Sequence, residues 1–160
     1  MIDIILATHN KNKQVELSKA LNSKNINILS LQDFPDIGEI EEKGTTLLEN
    51  SLLKARIVFA KTGHSAIADD TGLEIHGLNG RPGVFAARYA GENCSFQDNI
   101  NKVLTEMDGM ENREAQFRTV ISLVINGEET QFEGTVNGTI LTEERGEGGF
   151  GYDPVFQPDG

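Results

Sequence analysis

The polar segment Thr8-His9-Asn10-Lys11-Asn12-Lys13 separates a short apolar run from a stretch with helical periodicity. A helix N-terminus placed there presents unpaired backbone N–H groups and the positive end of the helix dipole, both of which favour an anion. Asn10 adds an amide donor, and Lys11 and Lys13 add charge. The T-x-N-x-x-K pattern also suits an ordinary helix cap. It is not a P-loop, because no G-x-x-x-x-G-K-[ST] string occurs.

Carboxylates concentrate in two places, at Glu39, Glu41 and Glu42 ahead of a helical pattern and at Asp69-Asp70 after an apolar run. Magnesium needs one or two such groups, completing its shell with water and substrate phosphates. Neighbouring side chains of an extended segment point to opposite faces, so only one of Asp69 and Asp70 is expected in a given site, the other orienting the turn. Asp69-Asp70-Thr71-Gly72 also reads as a plain turn, and the glutamates as a solvated charge run.

Gly146, Gly148 and Gly151 formally satisfy G-x-G-x-x-G, but late in the chain and running into Tyr152-Asp153-Pro154, which excludes a dinucleotide fingerprint after a first strand. Glycines beside Phe150 and Tyr152 instead let backbone approach a flat ligand while an aromatic ring stacks on it. Asp153 is placed to accept a hydrogen bond from a base or to fix the loop. His9, His64 and His76 lack the spacing of a zinc site, and no G-x-S-x-G elbow supports acyl chemistry.

The elements that must hold these residues follow from periodicity. Ile2 to Ala7 predicts an interior strand, and Val15, Leu17, Ala20, Leu21 and Lys24 a helix. Ile26 to Leu29 predicts a second strand. Thr46 with Glu49 forms a capping box for a helix whose apolar face is Leu48, Leu52, Ala55 and Phe59, ending at Gly63. Ser65 to Ala68 and Leu73 to Ile75 are short strands on either side of the two aspartates. Ser95 with Asp98 starts a helix facing inward through Phe96, Ile100, Val103, Leu104 and Met107. Phe117 to Ile125, Asn126-Gly127 and Thr130 to Val136 form a hairpin. Early interleaving with a late antiparallel part makes the class α/β with a mixed sheet.

With 25 acidic against 14 basic side chains among 160 residues, the net charge is −11, which opposes a broad nucleic-acid or anionic-lipid surface. The one cysteine, Cys94, excludes an internal disulfide and suits a cytoplasmic protein. There is no signal-peptide pattern and no run long enough to span a membrane. A single domain over 1–160 is expected.

In order and spacing, ATHNKNK (7–13), EEKGTTLLENSLLKA (41–55), IADDTGLEI (67–75), GRPGVFAARYAG (80–91) and GGFGYDPVF (148–156) strongly resemble the inosine triphosphate pyrophosphatase family. The resemblance implies an elongated two-lobed α/β fold around a long twisted mixed sheet with flanking helices, a nucleotide cleft between the lobes, Mg2+ and a homodimer. It implies hydrolysis of ITP, dITP and XTP to the monophosphate and pyrophosphate. Carried over by position, Thr8, His9, Asn10, Lys11, Asn12 and Lys13 would bind the triphosphate. Glu42, with Glu41 its nearest competitor, and Asp70 would hold the metal, Asp70 also accepting a proton from the attacking water. Thr71 would touch the nucleotide, Phe150 would stack on the purine, and Gly151, Tyr152 and Asp153 would complete the base and sugar contacts. Family members continue for a few dozen residues beyond the equivalent of Gly160, through a Lys and a Ser-His-Arg segment. A truncated chain is therefore expected, with a nucleotide-binding protein lacking useful turnover as the alternative. A pyrophosphatase of the related Maf type is a third reading, opposed by GGFGYDP.

Overall fold

The computed structural model describes residues 2–146 and 151–159. Its strands are β1 (Ile2–Leu6), β2 (Ile26–Ser30), β3 (Ser65–Ile75), β4 (Pro82–Gly83), β5 (Glu114–Ile125), β6 (Glu128–Ile140) and β7 (Phe156–Pro158). Its helices are α1 (Lys11–Ala20), α2 (Leu47–Thr62) and α3 (Phe96–Glu106), with short 3-10 turns between elements. The strands form one mixed sheet in the order β2-β1-β3-β5-β6-β7, with β4 beside β3. β1 runs parallel to β2 and β3, whereas β4 is antiparallel to β3 and β7 to β6. This is the mixed α/β class that the periodicity implies.

The chain divides into two compact units, residues 1–70 with 120–133 and residues 71–119 with 134–160. In the first unit, strand alternation builds a core on each face of the sheet. Ile5, Ala7, Ala66 and Ala68 pack with Ala55 and Val58 of α2, while Ile4, Leu6 and Ile67 pack with Leu17 of α1. β1 is thus an interior strand buried on both faces, as its near-continuous apolar run requires. Gly63, in the left-handed conformation at φ 74°, donates its N–H to the Phe59 carbonyl and ends α2. Asn126-Gly127, both at positive φ, makes the tight β5–β6 connection.

Five expectations are corrected. Asp69-Asp70-Thr71-Gly72 is not a turn: β3 runs unbroken from Ser65 to Ile75. The buried face of α2 is Leu47, Asn50, Ser51, Ala55 and Val58, while Leu48 is 45% exposed. A face carrying a buried amide and a buried hydroxyl is invisible to a search for apolar spacing. The Thr46 hydroxyl does accept from the Glu49 N–H, but the Glu49 carboxylate returns to the Thr45 N–H, one residue earlier than a capping box requires. In α1, Leu17 is buried but Val15 is exposed, and in α3 Phe96 is exposed while Ile100, Val103 and the following Met107 are buried.

The second unit packs Leu73 and Ile75 of β3 against Ile100 and Val103 of α3, with Ile140, Tyr152, Val155 and Phe156 in the same cluster. Phe117 meets Phe156 edge-on with ring centroids 4.7 Å apart. β7 lies so close to Gly138 that a Cβ there would strike the Gln157 carbonyl oxygen and come within 2.5 Å of Phe156 Cζ. Gly138→Ala is therefore expected to cost about 1–3 kcal/mol through overpacking. Thermal unfolding should show a Tm several degrees lower, and an unchanged Tm would mean that β7 does not seat there.

Candidate active site

Because β3 alternates, its two adjacent carboxylates meet different helices. Ile67 belongs to the α1 face and Ala68 to the α2 face, so Asp69 follows the former and Asp70 the latter. Asp69 is buried and receives Lys13, the third residue of α1, at 3.2 Å. Lys13 also reaches Glu16 at 3.3 Å. Burial lowers the Lys13 pKa, but the charge and hydrogen bond of Asp69, reinforced by Glu16, outweigh it and leave the ammonium above its ordinary value.

On the other face, burial first and the charge of Glu42 second push the Asp70 carboxyl up to about 7. Lys54 and the Asn50 side chain pull the opposite way, and Asp69 adds a smaller upward push. Lys54 bridges the group: its ammonium lies 3.0 Å from Glu42 Oε1 and donates at 2.5 Å to the Asp69 carbonyl oxygen. Glu41 instead points outward, paired with Lys43 where both are largely exposed. Among the described residues, the buried side-chain atoms without a hydrogen-bond partner are Asp70 Oδ2 and Asn50 Nδ2.

The 8–13 loop takes the helix-cap form. Asn10 Oδ1 accepts from the N–H groups of Asn12 and Lys13 at 3.0 and 3.3 Å, and Thr8 Oγ1 accepts from the Asn10 N–H. His9 Nε2 is 2.9 Å from the Gly38 carbonyl oxygen, and Lys11 is exposed. Two of the amides expected to cradle an anion are thus already engaged by Asn10, which leaves side-chain charge as the loop's stronger offering.

In the second unit, the Thr71 hydroxyl lies 2.8 Å from that of Thr119. Tyr152 is buried and its hydroxyl donates to the Ala86 carbonyl at 2.5 Å, while burial pushes its phenol pKa up. Gly151 precedes it, and exposed Asp153 opens a short 3-10 turn. Phe150 lies outside the described residues.

Two residues escape the sequence reading. Lys54 is obscured because it lies off the apolar positions that mark α2 in the sequence, and Asn50 because an amide interrupts the apolar stripe of its face. The signal was an amide at the helical spacing Leu47, Asn50, Ser51, Ala55, Val58.

Among the described residues, no group of three or more His, Cys, Asp or Glu side chains is placed to hold a metal ion. Magnesium asks for fewer, and the residues present fit it. Glu42 and Asp70 are two hard-oxygen donors acting on one another, one of them with a buried, unpartnered oxygen and a charge that its surroundings oppose. A divalent cation would relieve that stress. The arrangement can also hold and release a proton at Asp70, and it sets one ammonium on each face of β3, Lys13 at Asp69 and Lys54 at Glu42.

The sequence matches the Ham1 family over residues 4–160. It is 48% identical over 159 residues to the dITP/XTP pyrophosphatase of Flavobacterium psychrophilum, covering 99% of this chain and 83% of that protein. It is 47% identical to the dITP/XTP pyrophosphatase of Bacillus subtilis, over 98% of this chain and 80% of that protein. The solved structure of a HAM1 protein from Coxiella burnetii superposes with a TM-score of 0.91 at 40% identity, covering 98% of this chain and 81% of that one.

The raised Asp70 value has a stability consequence. Between about pH 4 and pH 7 the folded chain keeps a proton that the unfolded chain releases. The associated stabilisation is present below that window and lost as pH rises through it. With divalent cations chelated, Asp70→Asn is expected to raise Tm by roughly 3–8 °C near pH 8 and to leave it almost unchanged near pH 4. Differential scanning calorimetry at both values checks this; a lower Tm near pH 8 would show that Asp70 is not under electrostatic stress.

Proposed function

The chain belongs to the Ham1 family, and from that premise we propose that it hydrolyses the non-canonical purine nucleoside triphosphates dITP, XTP and ITP to the monophosphate and pyrophosphate. The names of its relatives support the substrate class. The observation that carries the reading onto this chain is the stressed Glu42–Asp70 carboxylate pair with Lys54 against it and Lys13 on the adjoining Asp69.

Hydrolysis between the α and β phosphates needs an activated water, charge to meet the leaving pyrophosphate, and a dry, fixed geometry. Asp70 takes the proton of the water that attacks the α-phosphorus; the bond to the α–β bridging oxygen breaks and pyrophosphate departs. Lys13, presented from the first turn of α1, lies at the end of the loop assigned to the triphosphate and offsets the growing negative charge. Lys54 keeps the Glu42 carboxylate beside Asp70. Glu42 and Asp70 would hold Mg2+, which when bound supplies Lewis-acid charge to the phosphate oxygens. No covalent intermediate is required.

Thr8 to Lys13 are assigned to the triphosphate, and Thr71, Phe150, Gly151, Tyr152 and Asp153 to base and sugar, as the resemblance gives them. Tyr152 would act by fixing the backbone around it, since its hydroxyl is committed to Ala86. A cytoplasmic location and a homodimer complete the proposal; analytical ultracentrifugation reads the latter directly. No helix among the described residues is long and apolar enough to cross a membrane.

With magnesium, pyrophosphate release is expected from dITP, XTP and ITP well ahead of ATP, GTP, dTTP and UTP. Preference for dTTP or UTP would favour the Maf-type reading, and binding without release the non-catalytic one. Asp70→Asn is expected to lower kcat by about 10²–10⁴-fold, with dITP binding by calorimetry changed far less; near-normal turnover removes Asp70 from its role.

A further inference from the structure

Asn50 is the anomaly of α2. It is wholly buried on the helix face that packs against the sheet, where its neighbour Ser51 satisfies its hydroxyl fully, within 3.0 Å of the Leu48 carbonyl and 2.7 Å of the Ser122 hydroxyl. Asn50 is only half satisfied. Its Oδ1 accepts from the Gly44 N–H at 2.7 Å, and its Nδ2 has no partner. A buried amide with idle N–H groups costs stability, and an apolar side chain of the same size would remove that cost.

The Gly44 contact fixes the amide's orientation. A carbonyl oxygen accepts from a backbone N–H and a nitrogen cannot, so Oδ1 must face Gly44 and Nδ2 must face the other way. Gly44 comes this close only because it has no side chain: a Cβ would stand 2.6 Å from Asn50 Oδ1 and 2.7 Å from Glu49 Cβ. The group on which the Asn50 amide acts is Asp70, whose Oδ2 is the other buried, partnerless atom among the described residues.

We propose that Asn50 is the positioning residue of Asp70: clamped at Oδ1 by Gly44, it holds its Nδ2 donors ready to close on the Asp70 carboxylate when substrate enters. This rests on the assignment of Asp70 as proton acceptor. Hydrogen bonds around a catalytic base are commonly long in the free enzyme and tighten in the substrate complex, which accounts for a donor and an acceptor that both stand open here. One oxygen of Asp70 held by the amide leaves the other to face the water. Asn50 itself touches no reacting atom, and Gly44 acts only through Asn50.

The test measures pyrophosphate release from dITP with magnesium for the full chain and for Asn50→Leu, Gly44→Ala and Asp70→Asn. Asn50→Leu keeps the branched shape and deletes the donors together with the oxygen that Gly44 uses; it is expected to lower kcat by about 10–100-fold, the usual size for such a supporting partner, with KM within about threefold. Gly44→Ala, which leaves Asn50 in place but displaces its anchor, should shift kcat in the same direction. In 15N spectra, the Asn50 side-chain amide pair, assigned in the parent by through-bond correlation to its own backbone resonances, is expected to move on addition of a non-hydrolysable dITP analogue with magnesium and to stop responding in Asp70→Asn. If Asn50→Leu folds and retains kcat within about twofold while Asp70→Asn is inactive, the positioning role is overturned and the base assignment stands. If Asp70→Asn turns over normally, the base assignment fails and takes this proposal with it. Should Asn50→Leu not fold, Gly44→Ala and the amide pair decide: parental kcat with an unresponsive amide overturns the role, and the loss of kcat with a responsive amide in the parent supports it.

Discussion

The site depends on the parity of one strand. Two aspartates in succession on β3 cannot share a neighbour, because extended backbone sends them to opposite faces, and each face of this sheet is covered by a different helix. Asp69 therefore requires a cation from α1 and obtains Lys13; Asp70 is delivered to α2, where Asn50 and Lys54 surround it. A turn at these residues would have let both carboxylates escape to water. Continuous strand geometry forbids that, and the cores beneath, built from Ile67 on one side and Ala66 and Ala68 on the other, hold the register that enforces it.

Charge compensation follows from that placement. In a chain of net charge −11 the carboxylates in excess are mostly harmless at the surface, where water screens them. Buried ones are not. Lys54 takes a double role, an ion pair with Glu42 and a hydrogen bond to the Asp69 carbonyl, and so ties the segment before α2 to β3. Burial first, and the charge of Glu42 second, outweigh that single ammonium, so Asp70 keeps a raised pKa. On the other face the Lys13 ammonium meets two carboxylates, Asp69 and Glu16, and the effect is the opposite, a lysine held charged.

How much of this was readable beforehand follows the strength of the local signal. β1, β2, the hairpin at Asn126-Gly127 and the stop at Gly63 each have a strong cue in a few residues, and each is where the sequence puts it. The opposition of Asp69 and Asp70 was also readable, since it needs only the period of a strand. Their continuity was not, because D-D-T-G has turn composition and only pairing with neighbouring strands keeps it extended. The inner face of α2 is only partly legible for a related reason: Ala55 and Phe59 do pack inward, but the burial of Asn50 and Ser51 depends on polar partners, Gly44, Leu48 and the distant Ser122, so an apolar stripe drawn without them takes in the exposed Leu48. A helix cap at Asn10 and an anion cradle call for the same residues, and the atoms that decide between them, Asn10 Oδ1 and two amide hydrogens, have no separate sequence signature.

Polar satisfaction elsewhere in the first unit sharpens the meaning of the exception. Ser51 and Ser122 are buried and complete each other, and Ser65 takes the Asn126 N–H. Asn50 departs from that pattern, satisfied at Oδ1 by Gly44 and open at Nδ2. The two idle atoms are a donor on Asn50 and an acceptor on Asp70, the carboxylate whose pKa is raised and on which the Asn50 amide acts. Each such group costs about 1–3 kcal/mol when left open. That cost is borne by the free protein and recovered when a ligand draws the groups together, so stability and binding become linked through the same pair of atoms. The strain therefore has a direction: it disfavours the empty site relative to the filled one, as preorganisation for a reaction requires and as packing alone would have eliminated.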